Sequence, residues 1–531
     1  MLNVATLWFG GTIYTMVNEH ETVEAILVED GTILETGSVA TLQEKYENRI
    51  NEKINLQGKV LYPGFVDSHI HLIGHGEKLL RLDLSAATSA EEVLQLVEEK
   101  VKTTPHNEWI IAEGWDENQW KTPRIIHRKE LDAITSNHPI IMKRICRHAL
   151  IANTYALTLS GVTNDVKEPQ GGIVDREEDG TITGFLVDEA QQLVTSKMPL
   201  PSENYLQRAL QLSVQDAFSK GLTGAHSEDL NYYGGFLRTY ETFQQVINGS
   251  KTKFRAHLLA HYGVAEDAFS YADHHEDPFI EIGAMKIFAD GSLGGRSALL
   301  SKPYEDDETT QGVAIHTQDE LSDLVKKART FGRTVAIHAI GDLAFEYVIT
   351  SLEKHPPKAG QRDRIIHAQI LRPDLIERAK TLPMILDIQP RFVASDFPWV
   401  EERLGHERMK SCYVWKTLIQ KGFHCAGGSD APIEPMDPLL GIHAAVSRKN
   451  SPASYNVYMP EEKLSVFEAV RLFTYESAYA INRENEVGLV SPGYKADFTV
   501  LNHDLFNIEE DEIPNAGVYM TVVDGTTMFQ Q

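Results

Sequence analysis

The sequence predicts an α/β protein built on a (β/α)8 TIM barrel, and three observations support this fold class. The chain has 531 residues, 42% of them hydrophobic, which is ample for a large core and too long for one ordinary domain unless that domain is a large barrel. Strand-like and helix-like patterns alternate through its middle. Both ends instead show the two-residue periodicity of β-strands.

The two ends are expected to form one small β-sandwich domain. Residues 1–60 and 487–531 each contain short alternating strands and an Asp-Gly pair, which is a strong hairpin signal between such strands. The barrel is then expected to occupy residues 61–486. A long insertion, about 75–200, follows the first barrel strand and contains a predicted hairpin that runs into a helix.

Eight apolar segments with polar residues near their carboxyl ends are the predicted barrel strands. Helical patterns lie between most of them, and eight such strand–helix units form a closed barrel whose chemistry is placed at the carboxyl ends of the strands. The predicted strands are 60–71, 222–227, 254–261, 281–290, 334–339, 364–369, 384–389 and 424–432, and the clearest helices are 202–220, 236–248, 317–331, 343–354 and 408–421.

The composition excludes some classes of function. The formal net charge of −26 and the pI of about 5.2 argue against a nucleic-acid partner, since a polyanion would be repelled. The three cysteines show no CxxC spacing, so neither a disulfide framework nor a thiolate zinc site is expected. No run of about 18 apolar residues is present, so no membrane partner is expected and a cytoplasmic protein is the default.

Histidine and aspartate residues recur at the predicted strand ends. His69 and His71 lie two residues apart on strand 1, so they face the same way and can bind one metal ion. His338 and His367 follow the apolar runs of strands 5 and 6, and Asp430 follows strand 8. Each has an ordinary alternative, namely a surface or core histidine or an aspartate in a turn. Their joint occurrence in strand order favours a metal site.

The apolar fourth strand, "IGAMKIFAD", carries Lys286 in its middle. A buried ammonium is costly unless its charge or its nitrogen is used. The ordinary alternative is a lysine whose head extends to solvent at the barrel mouth. Lys286 is therefore a candidate for the same site.

Four segments resemble the amidohydrolase superfamily of metal-dependent hydrolases. Within it they resemble the YtcJ-like branch, which includes N-substituted formamide deformylases, and the resemblance covers essentially the whole chain. The segments are "GFVDSHIH", "MKIFADGSLGGRSA", "IHAIGD" and "GGSDAPIEPMDPLLGIHAAVSR".

The resemblance implies two divalent metal ions, with zinc expected from the imidazole and carboxylate ligands. It also implies that Lys286 is carboxylated, so that a CO2-derived carbamate bridges the two ions. The implied ligands are His69, His71, Lys286 and Asp430 for the more buried ion, and His338, His367 and the same carbamate for the other.

The substrate-binding candidates rest on weaker signals. His148 resembles a substrate-side motif that usually reads Asp-Gly-His, but a different pair precedes it here. Trp115, in the insertion, is either a pocket wall or a core aromatic residue. His226, at the end of strand 2, and Arg296, in "GSLGGRSA", are expected to face the barrel mouth.

The sequence thus predicts a hydrolase that acts on C–N bonds other than peptide bonds, most simply in an N-acyl or N-formyl amine. The resemblance implies attack by a metal-bridging hydroxide, with Asp430 as general base and acid. Three alternatives stay open: a cyclic amidine deaminase, which would not need Lys286, an ester or lactone hydrolase, and a metal-free scaffold barrel. The expected partner is a small-molecule amide. A homodimer, which is common in this family, is left open by the sequence.

Overall fold

The computed structural model of the protein describes residues 5–145, 148–169 and 171–531. The chain divides into two compact units. The second unit consists of residues 76–202, and the first unit consists of the chain before and after it. The first unit contains the barrel and a sheet formed by both ends of the chain.

Eight parallel strands in the first unit confirm the predicted barrel. Each strand pairs with its neighbours in chain order, so the strand ends that carry the candidate residues lie at one edge. At that edge the eighth and first strands are joined by two backbone bonds: Asp430 N–H donates to the His69 carbonyl at 2.7 Å, and His71 N–H donates to the Ala431 carbonyl at 2.9 Å. Barrel strands 1 to 8 are Phe65–Ile70, Leu222–Ser227, Arg255–His261, Ile280–Phe288, Val335–Ala339, Asp363–His367, Met384–Ile388 and Cys425–Gly427.

The first predicted strand, residues 60–71, is wrong as a single element because it consists of two strands. Val60–Pro63 pairs antiparallel with Phe498–Leu501 in the other sheet of this unit, and the barrel strand starts at Phe65. Gly64 lies between the two strands. A Cβ at Gly64 would collide with a side chain of barrel strand 2, so the change of sheets requires glycine here.

Helices follow most barrel strands as predicted, with bounds that differ by one or two residues, but one predicted helix is interrupted. The helix predicted at 408–421 is wrong, because one helix ends at Met409 and the next begins at Trp415, after Tyr413 takes a left-handed φ of 53°. None of the helices that the structure describes combines the length and apolarity of a membrane span. The helices outside the second unit are Val39–Tyr46, Leu72–Leu80 (which leads into that unit), Glu203–Ser219, Phe236–Val246, Ala265–Ala272, Gln318–Thr330, Asp342–Lys354, Pro373–Ala379, Phe392–Met409, Trp415–Gln420, Pro438–Ser447, Val466–Leu472 and Tyr475–Ala480.

Strands from both ends of the chain share one eight-stranded sheet. The two Asp-Gly hairpins are present, and Asp30, Gly31, Asp524 and Gly525 all take the left-handed φ that a two-residue hairpin requires. The domain boundaries drawn from the sequence stay predictions. The strands of this sheet are Ala5–Tyr14, Thr22–Glu29, Thr32–Gly37, Ile50–Asn55, Val60–Pro63, Phe498–Leu501, Val518–Val523 and Thr526–Gln530.

The second unit has a six-stranded sheet of its own with apolar clusters packed against it. The hairpin predicted within the insertion is present, because Gly172–Arg176 pairs antiparallel with Ile182–Asp188 and the short helix Gln192–Thr195 follows. The remaining strands are Leu82–Asp83, Ile110–Trp115, Ile140–Arg144 and Ala149–Ala152, and the remaining helices are Ala90–Thr103, Arg128–Ile134 and Thr154–Leu159.

Candidate metal centre

Barrel strand 1 carries His69, His71 follows its last residue, and the backbone of this segment is fixed from two sides. The Asp67 carboxylate accepts the His69 N–H at 3.0 Å and the Ser429 N–H at 3.1 Å, so it links strand 1 to the loop after strand 8. The buried guanidinium of Arg364, on strand 6, donates to the Ser68 carbonyl at 2.6 Å. These contacts hold the backbone from which the histidines extend.

Polar atoms from strands 1 and 4 and from the loop after strand 8 lie close together. Asp430 Oδ1 lies 3.5 Å from both His69 Nε2 and His71 Nε2, and Lys286 Nζ lies 3.3 Å from His69 Nε2. Ligand atoms at about 2.1 Å from a tetrahedral zinc ion stand about 3.4 Å apart. The donor spacing of the two histidines and the aspartate therefore fits one divalent ion.

His338 and His367 present a second pair of ring nitrogens. His338 Nε2 lies 3.1 Å from the Gly291 carbonyl oxygen, and His367 Nδ1 lies 2.7 Å from the Gln389 side-chain oxygen. A carbonyl oxygen only accepts, so these contacts assign the protons to those nitrogens and leave His338 Nδ1 and His367 Nε2 as acceptors. The two acceptors face each other at 3.0 Å. Two lone pairs at that distance need a cation between them, which fits a second metal position.

Burial governs the charge state of these groups. It lowers the pKa of His69 and of His338 well below the usual value, so both imidazoles are neutral near pH 7. Burial also lowers the pKa of His367, to about 4. Burial acts against the charged form of His71 too, but the Asp430 carboxylate outweighs it and raises the His71 pKa to about 9. Burial raises the pKa of Asp430, yet its hydrogen bond with His71 brings it below the usual value.

Lys286 is fully buried in barrel strand 4. Its Nζ lies 4.7 Å from the centre of the Phe288 ring, and no carboxylate of the described residues lies within 4.0 Å of it. Burial lowers the pKa of Lys286 to about 8, so a larger fraction of the amine is neutral near pH 7 than in an ordinary lysine. The alternative of a lysine head extended to solvent is excluded by this burial.

Two of the candidate ligands have backbones in the left-handed region. His367 has a φ of 76° and Asp430 a φ of 57°. This conformation costs a non-glycine residue about 1–2 kcal/mol and persists only where the surrounding structure holds it. Such strain is typical of functional sites.

Sequence reasoning missed two residues that support the candidate ligands. Glu228 directly follows strand 2 and is fully buried, its carbonyl accepts the His71 Nδ1–H at 2.6 Å, and its carboxylate accepts the Tyr232 hydroxyl at 2.6 Å. Gln389 directly follows strand 7 and orients His367. Glu228 and Gln389 stand at the carboxyl ends of correctly predicted strands, and that position is the signal that could have found them.

The two substrate-binding candidates of the barrel, His226 and Arg296, lie in different environments. His226 is fully buried with its ring centre 5.2 Å from that of His257, and both line a cavity of about 70 Å³ together with residues at the amino ends of barrel strands, such as Ile280. The prediction that His226 faces the mouth is therefore wrong, because its side chain packs inside the lower barrel. Arg296 lies in the loop after strand 4 and donates to Asp306 at 2.8 and 3.2 Å, and its substrate role stays a prediction.

The other two substrate-binding candidates lie in the second unit. Trp115 is fully buried in an apolar cluster, and its indole N–H donates to a backbone carbonyl at 3.4 Å. This placement favours the core role that the sequence left open. The His148 side chain is 77% exposed, with Nδ1 2.9 Å from Asp188 Oδ1. Cys146 and Arg147, the pair that departs from the family motif, lie outside the described residues, and the substrate role of His148 stays a prediction.

The fold and the donor groups together define a class of protein, the metal-binding (β/α)8 hydrolases. A family model agrees with this class, because the model of the amidohydrolase family matches residues 52–529. The chain therefore belongs to the amidohydrolase family.

Individual relatives support the same assignment. YtcJ of Bacillus subtilis (strain 168) is 49% identical over 99% of both chains. The N-substituted formamide deformylase of Arthrobacter pascens is 25% identical over 98% of this chain and 97% of its own. The crystal structure of an uncharacterized metal-dependent hydrolase from Pyrococcus horikoshii OT3 is 29% identical, covers 95% of this chain and 99% of that one, and superimposes with a TM-score of 0.81.

Proposed function

We propose that the protein is a metal-dependent hydrolase that cleaves the C–N bond of a non-peptide amide, an N-acyl or N-formyl amine. The observation that carries the proposal is the pair of acceptor nitrogens on His338 and His367, which face each other at 3.0 Å. This pair lies beside the first donor set, since the ring centres of His69 and His367 are 5.7 Å apart. Two neighbouring sets of imidazole and carboxylate donors suit two divalent ions, with zinc expected.

Lys286 is proposed to carry a carbamate derived from CO2. The neutral amine attacks CO2, a new N–C bond forms as one C=O π bond opens onto oxygen, and an N–H bond breaks to release a proton to solvent. The buried strand then carries an anionic oxygen donor in place of an ammonium group. Burial lowers the pKa of Lys286 despite the opposing effect of the Glu228 and Asp430 carboxylates, which supports this proposal because a buried ammonium is costly.

The residues then have distinct roles. Bound metal ions polarise a carbonyl group and lower the pKa of water toward neutrality. Asp430 takes the proton from the attacking water and returns it to the leaving nitrogen, because its carboxylate reaches the donor atoms of strand 1. The proposed metal ligands are His69, His71 and Asp430 for one ion, His338 and His367 for the other, and the carbamate on Lys286 for both.

The substrate class is supported by a relative. The Arthrobacter pascens protein, whose name is N-substituted formamide deformylase, is similar over nearly the whole chain. A cyclic amidine deaminase with one ion would leave the His338–His367 pair without a use. An ester or lactone hydrolase would use the same donors, so substrate measurements must separate it from an amidase. A metal-free scaffold barrel would not need a complete donor set.

Metal content tests the donor sets. The purified chain, reconstituted with zinc and bicarbonate, is expected to bind two ions per chain, measured by elemental mass spectrometry. The double variant His338→Asn, His367→Asn is expected to retain one ion. His406→Asn is the matched control, because His406 is an exposed histidine on the helix Phe392–Met409, and it should retain both. A wild-type chain that binds no metal would support the scaffold alternative and reject the proposal.

Turnover tests the substrate class. The zinc-loaded protein is incubated with N-alkyl formamides, N-acyl amines, dipeptides, esters and cyclic amidines, and the released amine, acid or ammonia is measured. We expect amine release from the non-peptide amides, and a loss of about 10²–10⁴-fold in Asp430→Asn. A preference for esters or dipeptides, or ammonia release from amidines alone, would refute the proposed substrate class.

A further inference from the structure

A turn after barrel strand 2, held by hydrogen bonds, brings Glu228 and Tyr232 to the candidate metal centre. Neither side chain has a role in the proposed reaction. The Ser227 hydroxyl donates to Asp229 Oδ2 at 2.6 Å and accepts the Leu72 N–H at 2.9 Å. These bonds tie the turn to the helix that follows the histidine pair of strand 1. The turn therefore has a defined position relative to that pair.

Glu228 determines which hydrogen-bonding role Tyr232 can play. The Glu228 side chain has no exposed surface, and its Oε2 lies 2.6 Å from the Tyr232 hydroxyl. The Tyr232 hydroxyl donates to this oxygen, so the proton of the phenol is directed to Glu228. Burial, and then the Glu228 carboxylate, raise the pKa of Tyr232 above its usual value, so the phenol stays protonated.

Tyr232 is an exposed residue beside His71 of the candidate metal centre. Tyr232 is 45% exposed, and the centre of its ring lies 6.1 Å from the centre of the His71 ring. A phenol oxygen that donates its proton retains lone pairs that can accept another hydrogen bond. Beside His71, the protein therefore presents the Tyr232 oxygen as a hydrogen-bond acceptor, while the proton of the same hydroxyl is already donated to Glu228.

We propose that Tyr232 is a specificity-determining residue that accepts a hydrogen bond from the N–H of the scissile amide. Esters, lactones and N,N-disubstituted amides lack this N–H, so the site selects secondary amides. A site that pairs with a substrate N–H discriminates against analogues without it, because the acceptor is covered by the bound substrate and is then left unpaired. The inference rests on the proposed function and narrows its substrate class.

The test compares three substrates that differ at one atom or group: N-butylformamide, N-butyl-N-methylformamide and butyl formate. The corresponding acetyl compounds replace them if the wild type prefers N-acetyl amines. In zinc-loaded Tyr232→Phe, kcat/KM for the N–H substrate is expected to fall about 10-fold, and the values for the other two to change by less than about twofold. Tyr519→Phe is the matched control, since the Tyr519 hydroxyl accepts from Gln530 in the sheet formed by both ends of the chain. It should change none of the three kcat/KM values.

Metal content is measured on each variant, so that a structural role can be recognised. An equal loss on all three substrates, a loss of bound zinc in Tyr232→Phe, or unchanged kinetics would each overturn the inference while leaving the proposed function in place. A wild-type protein that hydrolyses no amide would overturn the proposed function, and this inference with it. A selective loss on the N–H substrate, at full metal content, supports the inference.

Discussion

Replacing Gln389 with leucine should weaken metal binding without removing a proposed ligand. Gln389 is 3% exposed, and its side-chain oxygen accepts the His367 Nδ1–H at 2.7 Å. Leucine is of similar size and cannot accept, so the buried N–H loses its partner at a cost of roughly 1–3 kcal/mol. Alternatively the proton moves to Nε2, which removes that nitrogen as a ligand. We expect the zinc affinity to fall about 10- to 100-fold, the usual effect of losing a hydrogen bond to a metal-binding histidine.

The assay is a titration of metal-free protein with zinc against a competing chelator. Gln389→Glu should keep the wild-type affinity or exceed it, because a carboxylate accepts the same N–H more strongly. Both variants lose the bond from the Gln389 amide to the Asp387 carbonyl. The difference between their zinc affinities therefore reports the loss of the acceptor for the His367 N–H. Gln361→Leu is the matched control, since this amide donates to the Gly332 carbonyl instead. Unchanged affinity in Gln389→Leu, or an equal loss in the control, would refute the tautomer argument.

Three further predictions concern the surroundings of the site. Arg364→Met should destabilise the protein by about 3–5 kcal/mol in urea unfolding, because it leaves the buried Asp387 carboxylate unpaired. Adding Asp387→Leu should recover most of this loss, and a double variant less stable than the single one would contradict the argument. The folded-state pKa of His71 is raised from 6.5 to about 9, so its contribution to the stability of the metal-free protein is complete below pH 6.5 and is lost as the pH rises to about 9. The difference in melting temperature between wild type and His71→Asn should shrink across that window, whereas a constant difference would disprove the linkage. Gly428→Ala should lower both stability and zinc affinity, because a Cβ there would lie 2.6 Å from the backbone nitrogen of His69. Unfolding curves and zinc titration curves that match the wild type would count against this prediction.

Most barrel strands could be predicted closely because each is an apolar run that ends near a polar residue, although the eighth was predicted at 424–432 and is observed only at Cys425–Gly427. The second strand is predicted and observed at residues 222–227. The first was predicted too long, since the apolar run over 60–71 continues through the change of sheets at Gly64. Periodicity shows that a segment is extended, but it carries no information on which sheet the segment joins. That choice depends on partners more than 400 residues away in the chain, such as the strand at 498–501.

The histidine and aspartate candidates could be named from sequence because each stands near the end of a predicted strand, and Lys286 could be named because it interrupts an apolar one. The supporting residues were not found, since their roles depend on contacts between strands: Glu228 acts on His71 from strand 2, and Gln389 acts on His367 from strand 7. His226 was misplaced for a related reason. A polar residue near the end of a strand can face the mouth or the lower barrel, and only packing against its neighbours decides between them.

The strained backbones of His367 and Asp430 bear on whether the site forms before it binds metal. Asp430 N–H is held by the His69 carbonyl at 2.7 Å, and the residue after His367, Ala368, donates its N–H to the Ala339 carbonyl at 3.0 Å. Neither bond uses a proposed ligand atom, so the barrel itself maintains the strain. The metal-free protein should therefore stay folded, with zinc adding stability only by mass action, in contrast to small domains that unfold without metal. Circular dichroism after chelation tests this, and unfolding on metal removal would mean that the metal ions, rather than the barrel, hold these two residues in place.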